Sequence, residues 1–221
     1  MAPEVRCVVL TGAGRAFSSG ADLKAIFEEA TTSDQRPDVA GLLRERYHPL
    51  LESVRELEKP VVAALNGMAA GIGCSLALAC DLVYAKRSAA LLLAFVRIGL
   101  MPDGGSTMLV PVAIGKARAF EMAMLGEPLT ADRALEWGLI NGVFADDTFD
   151  HEITELAGKL AAGPTRALAL MKKAMNESVF ANFYAQLEVE AQLQEEAAAT
   201  DDFREGVTAF IEKRRPAFSG A

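Results

Sequence analysis

Apolar and polar positions fall into blocks along the chain, and these blocks predict strands first and helices later. Val5–Thr11 is apolar, rich in β-branched residues and followed by glycines, which predicts a buried strand. Val61–Leu65 and Asp81–Ala85 predict two more strands, with a helix over 69–80 between them. Gly142–Phe144 predicts a short strand in the second half, which is otherwise helical in pattern. We therefore expect an α/β core followed by a helical C-terminal part.

Helical spacing is clearest in two segments. Apolar residues recur at helical intervals at Leu43, Tyr47, Leu50, Leu51 and Val54, and again at Phe203, Val207, Phe210 and Ile211. Pro49 lies inside the first of these helices, so we expect the helix to kink or restart there. A short helix is predicted near Ala21–Ala30, and the polar stretch Thr31–Asp38 is predicted to be a mobile loop.

Composition excludes several classes of protein. The chain has 221 residues, of which 51% are hydrophobic and 24% charged, as in ordinary globular proteins. A net charge of −8 argues against non-specific nucleic-acid binding, which needs a basic surface. Two histidines and three cysteines without metal-binding spacing predict no metal site. The first residues lack the pattern of a signal peptide, so we expect a cytoplasmic protein.

The uncharged stretch 61–80 raises the question of a membrane helix, and Gly67–Gly71 within it has the G-x-x-x-G spacing. Asn66-Gly67, however, is typical of a turn, and Val61–Leu65 favours a strand. We therefore expect a strand, a turn and a helix here, and no contact with a membrane.

Three glycine-rich segments follow or precede predicted elements. Gly12-Ala13-Gly14 follows a strand, but the large Phe17 occupies the position where a dinucleotide-binding loop needs a small residue. The segments 17–24 and 66–74 each run into a predicted helix, where free backbone N–H groups can face an anion. Together they could form an oxyanion hole; the alternative is that both are ordinary turns.

A single carboxylate, Asp103, lies in the turn 99–107 that leads into the helical region. Spacing alone favours a structural role for it as a helix N-cap, which aspartate fills very often.

Four stretches together resemble the enoyl-CoA hydratase/isomerase (crotonase) superfamily. They are VRCVVLTGAGRAFSSGADLKA, KPVVAALNGMAAGIGCSLALACDLVYA, RIGLMPDGGSTMLVPVAIGKARAFEMAMLGEPLTADRALEWGLIN and FREGVTAFIEKRRPAF, in the family's order from near residue 5 to residue 218. The resemblance implies an α/β fold, a crotonase-like ββα spiral with a helical C-terminal trimerisation region. It divides the chain into a spiral core, 1–145, and a helical region, 146–221.

The resemblance also implies a substrate and a site. Family members bind acyl-CoA thioesters and stabilise an enolate with two backbone N–H groups, which correspond here to those of Ala21 and Ile72. The implied substrate-binding residues are Ser19, Ala21, Asp22, Leu23, Lys24, Gly71, Ile72, Ser75 and Phe95. No cofactor is implied, since coenzyme A is part of the substrate, and a homotrimer or hexamer is expected.

The residues that move protons depart from the hydratase pattern. Hydratases of this family use two glutamates, and the corresponding positions here are Ser75 and Phe95. Isomerase-type members instead have a catalytic aspartate at the position of Asp103. The resemblance therefore favours an enoyl-CoA isomerase of fatty-acid or aromatic-acid CoA catabolism, with Asp103 as acid and base. The alternatives are an inefficient hydratase, an acyl-CoA thioester hydrolase, or a non-catalytic acyl-CoA-binding protein.

Family members usually have a β-hairpin and a helix ahead of their first matching strand. Nothing similar precedes Val5 in this sequence. Since those strands help to form the floor of the spiral, we expect the coenzyme A site to be affected at that end.

Overall fold

The computed structural model describes residues 4–24 and 37–221. In chain order the strands are β1 (Val8–Thr11), β2 (Val61–Leu65), β3 (Ala69–Ala70), β4 (Leu82–Lys86), β5 (Ala90–Leu92), β6 (Leu129–Thr130) and β7 (Gly142–Phe144). The helices are α1 (Val39–Leu42), α2 (His48–Glu56), α3 (Ile72–Ala79), α4 (Ser106–Leu125), α5 (Ala131–Trp137), α6 (Phe149–Ala162), α7 (Thr165–Val179), α8 (Phe183–Ala198) and α9 (Asp201–Glu212). A π-helical segment, Leu43–Tyr47, joins α1 to α2, and a 3₁₀ turn, Ala94–Ile98, follows β5.

The larger sheet has the order β1-β2-β4-β7, and all its strands are parallel. Every residue of the central strand β2 is buried, which explains its unbroken apolar run. The prediction of strands at 61–65 and 142–144 is confirmed without change. The strands predicted at 5–11 and 81–85 are also present, with β1 starting later and β4 shifted by one residue.

The smaller sheet, β3-β5-β6, contains the main correction to the predicted elements. The helix predicted over 69–80 begins only at Ile72, because Ala69 and Ala70 pair with β5 as a strand. Gly71 separates strand from helix with a positive φ of 54°, a conformation that residues with a Cβ rarely adopt. Strands β5 and β6 were not predicted, since a short apolar run does not distinguish strand from helix.

The helix is irregular just before Pro49, where we predicted that it kinks or restarts. After α1 the backbone widens into the π-helical segment Leu43–Tyr47, and α2 begins at His48 with Pro49 in its first turn. Tyr47 and His48 keep helical backbone angles, and the His48 N–H donates to the Leu43 carbonyl oxygen, so the chain stays helical through the wider turn that precedes Pro49. This irregular junction places Tyr47 against two apolar clusters.

The helical character of the second half is confirmed. Helix α4 is interrupted at Gly115, and α6 packs on the larger sheet, where Phe149 and Ile153 contact Ala64. Helix α8 contributes to two apolar clusters. Its residues Phe183 and Leu187 pack with residues of α3 and α4, and its last turns pack with α1 and α9. The division at residue 145 into a core and a helical region stays a prediction.

The largest apolar cluster joins β2, α3, β5 and α4 through Leu65, Cys74, Leu91 and Val110. The uncharged stretch 61–80 therefore folds as two strands and a helix inside the protein. Over residues 4–24 and 37–221, no helix combines the length and the apolar character needed to cross a membrane. The helix predicted at 21–30 and the mobile loop predicted at 31–38 lie mostly outside the described residues.

Candidate active site

The two glycine loops lie side by side. Ser18 and Ala69 form a parallel β-bridge, and Ala70 N–H donates to the Ser18 carbonyl oxygen at 2.9 Å. Close approach is possible because α3 has glycine at position 73, where a Cβ would lie 2.3 Å from the Ser18 Cβ. The pairing brings the segments just after Gly20 and Gly71 together.

The amides of Ala21 and Ile72 are the predicted oxyanion donors, and both belong to this junction. Ala21 packs against the apolar cluster that contains Ile72. Within the described residues neither N–H has a hydrogen-bond acceptor. Ile72 is the first residue of α3, where an N–H has no acceptor inside its own helix. Two such donors at one junction could hold an oxyanion.

Asp103 lies next to this junction, and its backbone is firmly held. Its carbonyl oxygen accepts hydrogen bonds from the hydroxyls of Ser75 and Ser106, each at 2.7 Å. The following residue, Gly104, has a φ of 64°, and a Cβ there would lie 2.5 Å from the Ile72 Cδ1. The turn therefore rests directly on the first turn of α3.

The Asp103 side chain does not cap a helix, so the interpretation that spacing alone favoured is wrong. Helix α4 has Gly105 as its N-cap residue, and no side chain caps it from that position. Asp103 Oδ2 instead accepts a hydrogen bond of 2.7 Å from Nε2 of Gln194 on α8. The carboxyl is drawn away from the helix amides because α8 packs across the turn.

The surroundings of the Asp103 carboxyl suit proton transfer. The residue is 4% exposed, and its Oδ1 has no hydrogen-bond partner among the described residues. The pKa of Asp103 is raised to about 7, chiefly by burial and also by the Glu190 charge, while the Gln194 hydrogen bond opposes the rise. A carboxyl with this pKa can both accept and donate a proton near neutral pH.

Sequence reasoning missed Glu190 and Gln194, which are both fully buried on α8. Glu190 accepts hydrogen bonds from the N–H groups of Gly105 and Thr107, at 2.7 and 3.1 Å, and from the Thr107 hydroxyl. A signal existed, because the four-residue spacing puts Glu190 and Gln194 on one face of a helix. Leu187 and Ala191 share that buried side.

The remaining predicted site residues divide into a buried and an exposed group. Ser75 is fully buried, and Phe95 is buried beside Gly71. In the first glycine loop Ser19, Asp22 and Lys24 are exposed and Leu23 is half-buried. The assignment of these residues to substrate binding stays a prediction.

The family follows from a direct comparison. The enoyl-CoA hydratase/isomerase family profile matches residues 1–221. The chain belongs to this family. It is 46% identical over 217 residues to a probable enoyl-CoA hydratase of Rhodobacter capsulatus, covering 98% of this chain and 82% of that protein. It is 43% identical over 216 residues to the 1,2-epoxyphenylacetyl-CoA isomerase of Escherichia coli, with coverage of 98% and 82%.

Solved structures agree with the family assignment. The crystal structure of an enoyl-CoA hydratase from Mycobacterium avium subsp. paratuberculosis superposes with a TM-score of 0.84 at 41% identity, covering 99% of this chain and 82% of that one. The predicted crotonase-like α/β fold is thereby confirmed. The proteins similar to this chain include some named as hydratases and some named as isomerases. The choice between these two reactions therefore depends on the residues of the site.

Proposed function

We propose that this protein is an enoyl-CoA isomerase in which Asp103 carries the proton. The observation that supports this most strongly is the Asp103 carboxyl itself. It is buried, its Oδ1 has no partner among the described residues, its pKa is raised to about 7, and its turn rests on Ile72. A single carboxyl that first accepts and then returns one proton is sufficient for an isomerisation.

The proposed reaction balances without a cofactor. Asp103 Oδ1 takes a proton from C2 of a 3-enoyl-CoA, and the electrons of that C–H bond move toward the thioester carbonyl, giving a dienolate. The same carboxyl then gives the proton to C4, and the double bond forms between C2 and C3. Asp103 is ionised again at the end. No water is consumed and no coenzyme A is released.

Ala21 and Ile72 supply the charge stabilisation in this scheme. Their N–H groups would donate to the thioester oxygen as it becomes negative, and as fixed backbone donors they need little reorganisation. Removal of one such donor typically costs about 2.7–4 kcal/mol of barrier. The exposed residues of the first loop, Ser19, Asp22 and Lys24, with Leu23 beside them, would then line the path of the coenzyme A moiety.

The residues in the two hydratase positions argue against efficient hydration. The Ser75 hydroxyl already donates to the Asp103 carbonyl, and the Phe95 side chain cannot accept or donate a proton. The second buried carboxyl of the described site, Glu190, is engaged by three donors. The isomerase from Escherichia coli, a relative at 43% identity, supports the same choice.

A homotrimer or hexamer is part of the proposal. Large apolar side chains are exposed on α4, α7 and α9, namely Phe120, Met124, Leu170, Met171, Met175, Phe210 and Ile211. Faces of this kind usually mark an interaction surface in a water-soluble protein. Sedimentation of the purified chain over a range of concentrations measures the oligomeric state.

The experiment compares the wild type with Asp103→Asn on a 3-enoyl-CoA substrate. We expect isomerisation to fall by about 100- to 10,000-fold, the usual contribution of a general acid–base group. Asp132→Asn is the matched control, because Asp132 is exposed on α5 and distant in sequence. Isomerisation by Asp103→Asn within a few-fold of the wild type would contradict the proposal.

Two further readings of the same assay separate the alternatives. Hydration of crotonyl-CoA by the wild type, faster than isomerisation, would favour the hydratase function suggested by the Rhodobacter capsulatus relative. Release of free coenzyme A would favour a thioester hydrolase, in which Asp103 acts as a nucleophile or activates water. Tight acyl-CoA binding without any turnover would indicate a binding protein.

A further inference from the structure

Gln194 on α8 is fully buried, and both ends of its side-chain amide are engaged. Its Nε2 donates to Asp103 Oδ2 at 2.7 Å, and its Oε1 accepts from the Met101 N–H at 3.2 Å. The amide therefore connects two residues of one turn, the carboxyl at its end and a backbone donor two residues earlier. Nothing in the family assignment gives this residue a role.

The Met101 contact fixes which end of the amide faces the carboxyl. A backbone N–H can only donate, so it selects the oxygen end of the Gln194 amide. The NH₂ end must then point at Asp103, where it meets an acceptor in either protonation state of that carboxyl. The hydrogen bond is stronger when Asp103 is ionised, because the acceptor is then charged.

We propose that Gln194 is the positioning residue of the isomerisation. By donating to Oδ2, it holds the carboxyl of Asp103 in one orientation and leaves Oδ1 as the single oxygen that takes the proton and returns it. This inference rests on the proposed function, since it assigns Gln194 a part in the proton transfer made by Asp103. Gln194 acts through Asp103 and is not itself placed in contact with the substrate.

Other charged and titratable groups face the same carboxyl and must be considered. Glu190, one turn earlier on α8, raises the pKa of Asp103 by its charge. Tyr47, on the π-helical segment, is close enough for the Asp103 charge to raise the pKa of its phenol. The phenol of Tyr47 is uncharged where Asp103 titrates, so Glu190 is the charged group that favours a neutral Asp103, and the Gln194 hydrogen bond opposes it.

The test measures the titration of Asp103 directly. The wild type, Gln194→Leu and Gln194→Glu are labelled with ¹³C at the aspartate side-chain carboxyls, and the Asp103 signal is identified by its absence in Asp103→Asn. Gln194→Leu removes the donor at similar size. Gln194→Glu keeps an acceptor for the Met101 N–H but places a second acid against Asp103. Gln192→Leu is the control, because Gln192 is exposed on the same helix.

We expect the titration midpoint of Asp103 to rise by about one to two pH units in Gln194→Leu, the usual worth of a hydrogen bond to a charged group. Gln194→Glu should raise the midpoint as well, and Gln192→Leu should leave it unchanged. The acid limb of the pH profile of kcat/KM should move by the same amount. A structural contribution alone would lower the rate at every pH without moving the midpoint.

An unchanged Asp103 midpoint in both folded Gln194 variants would overturn the inference. If only one variant folds, its midpoint decides the question. The proposed function fails separately, when Asp103→Asn retains isomerisation. The carboxyl titration does not depend on turnover, so it tests the positioning contact even in that case.

Discussion

The turn before α4 has two sides, and the buried carboxyl groups on them have opposite surroundings. On what we call the reacting side, Asp103 accepts one side-chain hydrogen bond, and its Oδ1 has no partner among the described residues. On the anchoring side, Glu190 accepts from two backbone N–H groups and a hydroxyl at the start of α4. Burial raises the pKa of both carboxyls, and for Asp103 the pKa reaches about 7.

This difference supports the proposal that Asp103 is the acid that carries the proton and that Glu190 is a structural one. Buried polar atoms in folded proteins nearly always have partners, because each unpaired one costs free energy. Glu190 follows that rule and holds α8 to α4. On the reacting side, Asp103 Oδ1 and the amide N–H groups of Ala21 and Ile72 have no partner among residues 4–24 and 37–221. A substrate would supply the missing partners.

Among substitutions that leave Asp103 in place, the largest effect on the rate should come from removing the N–H of Ile72, which has no acceptor among the described residues. In Ile72→Pro the backbone N–H is lost, while proline suits the first position of a helix, and Gly71 before it is not helical. We expect kcat to fall by about 100- to 1,000-fold, as for other oxyanion donors. The fall is measured on a 3-enoyl-CoA.

Ile72→Ala is the matched control for this change, because it shortens the side chain that touches Gly104 and keeps the N–H. Circular dichroism and thermal unfolding check that both variants fold. Equal losses of kcat in the two variants would assign the effect to side-chain packing and remove the oxyanion donor from the mechanism.

The pH dependence of stability gives an effect of intermediate size. The pKa of Asp103 is about 7 in the folded protein and near 4 when unfolded, so between these values the folded state holds a proton that the unfolded state releases. The contribution of Asp103 to stability is therefore largest at low pH and is lost as the pH rises to 7. As the pH is raised from 5 to 8, the free energy of unfolding of Asp103→Asn should rise by about 3 kcal/mol relative to that of the wild type.

Urea unfolding of the two proteins at both pH values measures this difference, and the comparison cancels the other titrating groups. A constant difference between them would mean that Asp103 titrates alike in both states. The electrostatic difference between the Asp103 and Glu190 carboxyls would then not exist.

The smallest effect should come from the anchoring side and appear in stability. Glu190→Leu leaves the buried N–H of Gly105 and the half-buried N–H of Thr107 without their acceptor, so the free energy of unfolding should fall by about 1–3 kcal/mol. The folded fraction should keep its isomerase rate within about tenfold, since Glu190 does not carry the proton. Glu196→Leu, exposed on the same helix, is the control.

Chemical denaturation and initial rates per folded molecule are the two measurements for Glu190→Leu. If Glu190→Leu is as stable as the wild type and as slow as Asp103→Asn, then Glu190 belongs to the chemistry and its structural assignment is wrong.

Local chemistry explains what was predictable in the fold. The unbroken apolar run at 61–65 favours a buried strand, and Pro49, which lacks an N–H, favours an irregular helix wherever the rest of the chain lies. The helix boundary at Ile72 was missed because Ala69 and Ala70 favour a helix locally. Their pairing with β5 is a contact between segments distant in sequence, and it overrides that preference.

The sequence by itself determined the residue types of the candidate site: two glycine loops, one carboxylate in a turn, and the neighbouring Ser75 and Phe95, neither of which is an acid. Only the tertiary structure decided what surrounds that carboxylate. Helix α8 lies far along the chain from Asp103, and its packing turns an expected helix cap into a buried acid held by Gln194. Its burial, its raised pKa and an oxygen without a partner in the described part of the chain all arise from groups brought together in space, and no local pattern encodes them.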